Sequence, residues 1–267
     1  RKPYYMLNLL SKQSIPEGGE DGSAGFLFFE TADGYQFKSI DKLFDKEQKK
    51  SYVFNNSTDA KEGIPAGYDG KILQHQADSS INVQSKMNMG AYKTKLVMFD
   101  PYNCKYVVNE KTADEAVEKK KVKLAGKGLP VFNEKFKTPT KDFTRTTFMM
   151  IDSGTLPSGA TEEQIKENQK DNFKAAQTLN QAIRRYNQLF SSMMQITIAG
   201  DFSLHAGDVI FVDIFSVKGE KDDTVNKESG GLYIIADLCH YVDSAGTYTK
   251  LNLARDSFGR KGNHSRR

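Results

Sequence analysis

The sequence predicts an α+β fold that is mainly antiparallel β, with one long helix. Three observations carry this. Short runs rich in Val, Ile, Phe and Tyr recur along the chain, separated by turns that contain Gly, Asp or Pro. One stretch has sustained helical periodicity: Ala176, Leu179, Ile183, Tyr186, Phe190 and Met193 recur at spacings of 3, 4, 3, 4 and 3. The run from Gln195 to Phe215 then reads as a strand, a corner bounded by glycines, and a longer strand.

The elements follow in order. Residues 1–15 close an element that is apolar at Tyr5, Leu7, Leu9 and Leu10, and a glycine-rich loop follows. Gly25–Thr31 and Tyr35–Ile40 flank Asp33-Gly34 and predict a hairpin. Ser39–Phe44 begins a short helix, and Tyr52–Asn55 is a short strand. Ser80–Ser85 alternates and reads as a strand, as do Lys93–Phe99 and Cys104–Val108 around the turn Asp100-Pro101-Tyr102-Asn103. Residues 109–160 lack periodicity and carry Lys119, Lys120, Lys121, Lys123 and prolines at 130, 139 and 157, which predicts an extended arm ordered by contact with something else. Thr161-Glu162-Glu163-Gln164 is a capping box, which places the long helix over 161–193, about 45 Å long. Val209–Val217 is apolar on both faces, so this strand is expected to be covered on both sides. Leu232–Val242 and Thr247–Arg255 form a final hairpin with Thr249, Leu251 and Leu253 on one face, and 259–267 is a basic tail.

Composition bounds the function. The 267 residues suffice for one large or two small domains. A net charge of +4 is too small for a dedicated nucleic-acid binder. Cys104 and Cys239 cannot make a disulfide framework and are expected to be free, buried thiols of a reducing compartment. No run of 18 apolar residues exists for a helical membrane span. The apolar run after Arg1-Lys2-Pro3 is too short for a signal peptide, and the chain is expected to start inside a longer protein.

Candidate chemistry is sparse. Phe148–Thr155 contains Asp152-Ser153-Gly154, the local signature of aspartic proteases, whose chemistry needs two carboxylates sharing a proton. The sequence has no second copy, so a protease would need a symmetric dimer. Asp237, Cys239 and His240 are close in sequence, but on a strand Asp237 and Cys239 share one face and His240 takes the other. His75, His205 and His264 have no metal-ligand spacing, and neither phosphate-loop motif is present. No catalytic, cofactor or metal site is therefore expected. The Lys119–Lys127 run is diluted by the glutamates at 110, 115 and 118, which favours a solvated face or a protein contact over phosphate binding. In the corner, Gly200 and Gly207 are expected to supply backbone freedom and Phe202 and Leu204 to anchor it, with Asp201 and Asp208 between.

The long helix, Ile196–Ile210, the charged loop, Leu232–Tyr241 and Thr247–Leu253 together resemble the C-terminal part of the central baseplate hub subunit of contractile-tailed phages of the T-even type. The resemblance spans about 171–256, is weaker over 25–108 and is absent over 109–160. It implies a tube-type β-barrel or sandwich domain built from 72–108 with 195–258, crossed by the 161–193 helix, beside a peripheral α+β region at 1–71. It implies a virion protein of the tail baseplate, assembled in the host cytoplasm, with no enzymatic activity, cofactor or membrane contact in the assembled state. The subunit would form a trimer whose pseudo-sixfold ring joins the tail tube to the central spike, meets other baseplate proteins and the tape measure protein, and lets DNA pass without specific binding. The first tube domain would lie outside this sequence, and the Lys119–Lys123 arm is expected to touch a neighbouring subunit. The alternatives are a hydrolase, either protease-like at Asp152 or cell-wall-degrading, and a ligand-binding β-barrel domain.

Overall fold

The computed structural model describes residues 2–16, 24–54, 69–77, 82–101, 104–113, 123–129, 144–150, 175–214, 229–259 and 261. The fold is α+β with mostly antiparallel strands. The chain divides into two compact units, one from 1–28, 82–122 and 131–187 and the other from 29–81, 123–130 and 188–267. The boundary falls within β1 (Phe26–Thr31), which pairs with β2 (Gly34–Ser39) as the predicted hairpin.

The first unit begins with α1 (Pro3–Gln13), whose Pro sits in the first turn, where its missing N–H costs nothing. Of the strand expected at Ser80–Ser85, residues 80 and 81 lie outside the described residues, and Val83–Ser85 instead begin α3 (Val83–Met89). Asn82 caps that helix: its side-chain oxygen accepts from the Ser85 N–H at 2.9 Å, which local alternation of apolar residues could not reveal. α2 (Ile40–Phe44) lies in the other unit and is capped by Ser39 in the same way, as predicted. β5 (Lys93–Asp100) is the middle of a three-stranded sheet, antiparallel to β6 (Lys105–Thr112) and parallel to β7 (Arg145–Met150). Two expectations change here. β5 and β6 do not join the 195–258 block, and the 109–160 arm contributes the end of β6 and all of β7.

The helix α4 (Ala175–Leu189) ends earlier than predicted. Phe190 lies in the turn beyond it and Met193 in the next strand, and both are exposed. Leu179, Ile183 and Tyr186 are half-buried, and the Ala176 side chain and the capping box at 161–164 lie outside the described residues. The buried positions of α4 are largely polar: Thr178, Asn180, Gln181, Arg184, Arg185 and Gln188. Their role is to satisfy backbone groups. Asn180 Nδ2 donates to Thr94 O at 3.3 Å and Asn109 O at 3.1 Å, and Thr94 Oγ1 donates to Asn180 O at 3.4 Å. Arg184 donates to Thr112 O at 2.9 Å. Tyr186 donates to Phe26 O at 2.5 Å and accepts from Phe26 N at 3.1 Å. The helix is stitched to the strands, and its apolar stripe is secondary. Asn180→Ala removes these buried hydrogen bonds to β5 and β6 and is expected to cost about 2 kcal/mol in denaturant unfolding; Ile183→Ala, at a half-buried position, should cost less.

The second unit holds a six-stranded curled sheet in the order β3-β9-β10-β11-β8-β4. Its strands are β3 (Lys50–Phe54), β4 (Ile72–Ala77), β8 (Ser192–Ala199), β9 (Val209–Ile214), β10 (Gly231–Val242) and β11 (Thr247–Arg255). All neighbours are antiparallel except β3 and β9. Register shifts between Ile235 and Asp237 on β10 and between Ile72 and Gln74 on β4 are the irregularities that bend a sheet. The curl brings the two outer strands together: Val53 bridges Lys71, and its N–H donates to Gly70 O at 2.8 Å. Inside lie Tyr52, Ile72, Met194, Ile196, Ile198, Leu204, Ile210, Val212, Ile214, Tyr233, Ile235, Leu251 and Leu253, none more than 6% exposed. β9 is buried along its whole length, as its two-faced apolar pattern requires. The peripheral region expected at 1–71 therefore supplies β3 to the main sheet. Of the 72–108 segment only β4 joins it.

Residues 123–129 pack in this unit against the end of β11. The Ala125 N–H donates to Asp256 Oδ1 at 3.0 Å, Gly126 N–H to Ser257 Oγ at 2.6 Å, and Phe258 N–H to Gly128 O at 2.7 Å. Lys261, within the predicted basic tail, donates to Leu124 O at 2.9 Å.

Candidate functional site

The corner between β8 and β9 gathers the most polar chemistry of the second unit. Two glycines allow it, for different reasons. Gly200 has no unusual backbone angle. A Cβ there would lie 2.3 Å from Thr247 Cγ2, because its N–H donates to Thr247 O at 2.8 Å across the strand gap. Gly207 has φ +81, and its Cβ would meet the Phe29 ring at 2.6 Å. Leu204 is the buried anchor, as expected. Phe202 is not an anchor: it is 61% exposed and leans its ring on His240 at 4.6 Å.

Asp201 and Asp208 are each held by the segment after α2, about 150 residues away in sequence. The Asp201 carboxylate accepts from Lys50 Nζ at 2.5 Å, Tyr52 OH at 3.1 Å, and the Ser203 N–H at 3.1 Å and hydroxyl at 2.7 Å. The Asp201 N–H donates to Thr249 Oγ1 at 2.9 Å. Asp208 accepts from Lys49 Nζ at 2.7 Å and from the His205 N–H at 3.0 Å. Lys49 also donates to Ser203 O, and Lys46 donates to Gly207 O at 3.1 Å. Burial ahead of repulsion from Lys38 pulls the Lys46 ammonium down.

Burial alone would raise the Asp201 carboxyl. The hydrogen bonds from Lys50, Ser203 and Tyr52 outweigh it and hold the group at about 2. Burial, then the Asp201 charge, pushes the Tyr52 hydroxyl up. The sign for stability follows. A carboxyl depressed in the folded state stabilises above its ordinary value of 3.8 and loses that contribution as pH falls towards about 2. Asp201→Asn is expected to cost about 2 kcal/mol at neutral pH. The gap to wild type should close between about pH 4 and pH 2 in melting curves; a gap independent of pH would contradict the role of the charge.

This set is a clamp. Every carboxylate oxygen named faces a lysine, hydroxyl or amide. The lysine partners were missed by sequence reasoning. The one available signal was Lys46-x-x-Lys49-Lys50-x-Tyr52 set against two aspartates, and nothing in sequence places those segments side by side.

The remaining candidates fall apart as sites. Asp237 accepts from Asn252 Nδ2 at 2.6 Å, while His240 Nδ1 lies 2.9 Å from Thr249 Oγ1. Cys104 and Cys239 are free, as expected, but both are exposed, contrary to the buried thiols predicted. Cys104 occupies the β5–β6 turn with φ 50, and Cys239 lies on the outer part of β10, beyond the core. His75 packs against Phe54 at 4.1 Å, and burial lowers its pKa. Lys123 pairs with Asp45 at 2.9 Å, and its N–H donates to Asp41 Oδ1 at 3.2 Å, so this end of the lysine run is engaged within its own unit. Lys119, Lys120, Lys121, Asp152 and His264 lie outside the described residues. Among the described residues no group of three His, Cys, Asp or Glu could hold a metal ion, and no helix is long and apolar enough to cross a membrane.

No protein-family model matches the chain, and no curated protein matches it. Among solved structures it is similar to a tail protein from Neisseria meningitidis MC58, at 10% identity and TM-score 0.41, over 86% of this chain and 51% of that one. It is similar too to the 43 kDa tail protein of prophage MuSo2 from Shewanella oneidensis, at 11% identity and TM-score 0.43, over 96% of this chain and 53% of that one. The chain spans about half the length of each. Likeness at this level assigns no function.

Proposed function

We propose that this chain is a structural subunit of a phage tail and forms the baseplate hub, a trimeric ring that joins the tail tube to the central spike and encloses the DNA channel. The reading starts from the sequence resemblance over about 171–256. The single observation that supports it most is the form this segment takes. β8 to β11 make one curled sheet whose outer neighbours β3 and β4 meet at the Val53–Lys71 bridge, around an interior filled by side chains. An interior packed with apolar side chains suits a rigid wall element. The clamp at Asp201 and Asp208 serves the same end by fixing the corner between two wall strands. The subunit acts through assembly, within the virion tail, with spike, tube and tape measure proteins as partners.

The test is native mass measurement and negative-stain imaging of the full-length protein, alone and with tube and spike proteins from the same genome. An open ring of three subunits, single or paired, that caps tube or spike is expected. A protein that stays monomeric and forms no ring with either one overturns the reading.

A further inference from the structure

The three-stranded sheet of the first unit has two apolar faces, and among the described residues only one is covered. On β5 the side chains alternate. Thr94, Leu96 and Met98 are buried on one side, while Val97 and Phe99 point to the other. Register extends the second face across all three strands. Val97 lies beside Val108 on β6 and Phe148 on β7, and Phe99 lies beside Tyr106 and Met150. The outer four are well exposed: Tyr106 64%, Val108 55%, Phe148 69% and Met150 68%. Phe99 and Tyr106 pack ring on ring at 4.9 Å, so the block is continuous. It presents about 500 Å² of apolar surface, at the upper end of what a monomer leaves bare.

Charge is confined to the neighbouring strip of the same face. Glu110 sits opposite Lys95 and bridges both Lys95, at 3.3 Å, and Lys93, at 3.5 Å. One of the two lysine charges is thereby offset, and a strip with a net charge of +1 gives a strongly charged partner little to select.

We propose that this face packs against the same face of a second copy of the chain. Two such blocks laid together, about 10 Å apart as in a sandwich, hide about 1,000 Å² of apolar surface. With the polar strips as rim, the contact enters the size class of stable interfaces. Glu110 cancels one of the two lysine charges, which reduces the like-charge repulsion that two identical faces would otherwise meet. This contact is separate from the ring of the hub reading and does not rest on it.

Sedimentation velocity over a concentration series tests it, with wild type, Phe148→Asp/Met150→Asp, and Tyr241→Ser as a surface control in the other unit. With both readings right, a hexamer falls to a trimer in the double variant. A dimer that falls to a monomer supports the face contact and removes the ring. A trimer unchanged by the double variant supports the ring and overturns the face contact, as does a wild type that stays monomeric. Each variant is accepted only with its far-UV circular dichroism unchanged. Should the double variant misfold, Phe148→Trp keeps the question open to failure, because the chain has no other tryptophan. Its emission should shift to the blue as concentration rises; an emission that stays solvent-exposed at every concentration overturns the proposal, as does a blue shift produced by neutral phospholipid vesicles alone.

Discussion

Gly207→Ala is expected to lower the melting temperature by roughly 10 °C, one of the two largest effects of any single change proposed for this chain. Two costs add. A residue with a Cβ at φ +81 sits in the left-handed region, at about 1–2 kcal/mol. The new methyl would also lie 2.6 Å from Phe29 Cζ and 3.5 Å from Leu43 Cδ2, in a corner whose N–H is already committed to Ile235 O at 2.8 Å. Overpacking of that kind costs about 1–3 kcal/mol, so the total is about 3 kcal/mol or more. Gly34→Ala separates the two, because Gly34 has φ +111 and nothing within 4 Å of its would-be Cβ. It should show the backbone cost alone. Adding Phe29→Leu should return part of the loss in the Gly207→Ala background. Equal effects of the two glycine changes would show that the contact with Phe29 does not matter.

The corner also shows what a sequence can reveal. Leu204 and Gly207 were legible because turn chemistry and apolar spacing are local properties, whereas Gly200, expected to supply backbone freedom, has an ordinary backbone angle and is required by the close approach of Thr247. Phe202 was misread because an aromatic between glycines gives no hint of which way it faces. The lysines that hold Asp201 and Asp208 were illegible for a different reason: they come from the loop after α2 and the first residue of β3, and only the parallel pairing of β3 with β9 brings them there. The same limit explains α4. Its 3-4 stripe was real as a pattern, but the helix buries Asn180 and Arg184, which satisfy carbonyls on β5 and β6. A polar face reads as solvent-facing until the strands that need its donors are placed. α3 was lost to a strand for a third reason, since a helix of seven residues is shorter than two apolar repeats and is fixed by its caps.

The other large effect is expected inside the barrel. Tyr233 is wholly buried on β10 and pairs with Ile210 on β9, and its hydroxyl donates to Ser229 O at 2.7 Å. The Arg255 guanidinium lies 4.8 Å from its ring centre and 5.3 Å from that of Phe258, and donates to Gly230 O at 3.2 Å. Arg255 is itself wholly buried, and burial ahead of any neighbouring charge lowers its pKa. A cation taken out of water needs such surroundings, and the two aromatic faces supply part of them. Tyr233→Ala removes a large core side chain, at about 3–5 kcal/mol, and strips one face from the guanidinium, at about 2 kcal/mol more. That sum rivals the whole stability of an ordinary domain, so little folded protein is expected at 37 °C. Tyr233→Phe keeps ring and cation contact and loses the hydroxyl's hydrogen bonds with Ser229 O and the Ser192 side chain, at about 1–2 kcal/mol. Tyr233→Leu is the deciding variant, because it fills much of the space without a π face. Denaturant unfolding should place Leu well below Phe. If the two coincide, the arginine draws nothing from the ring, and Gly230 O and Phe258 suffice to hold it.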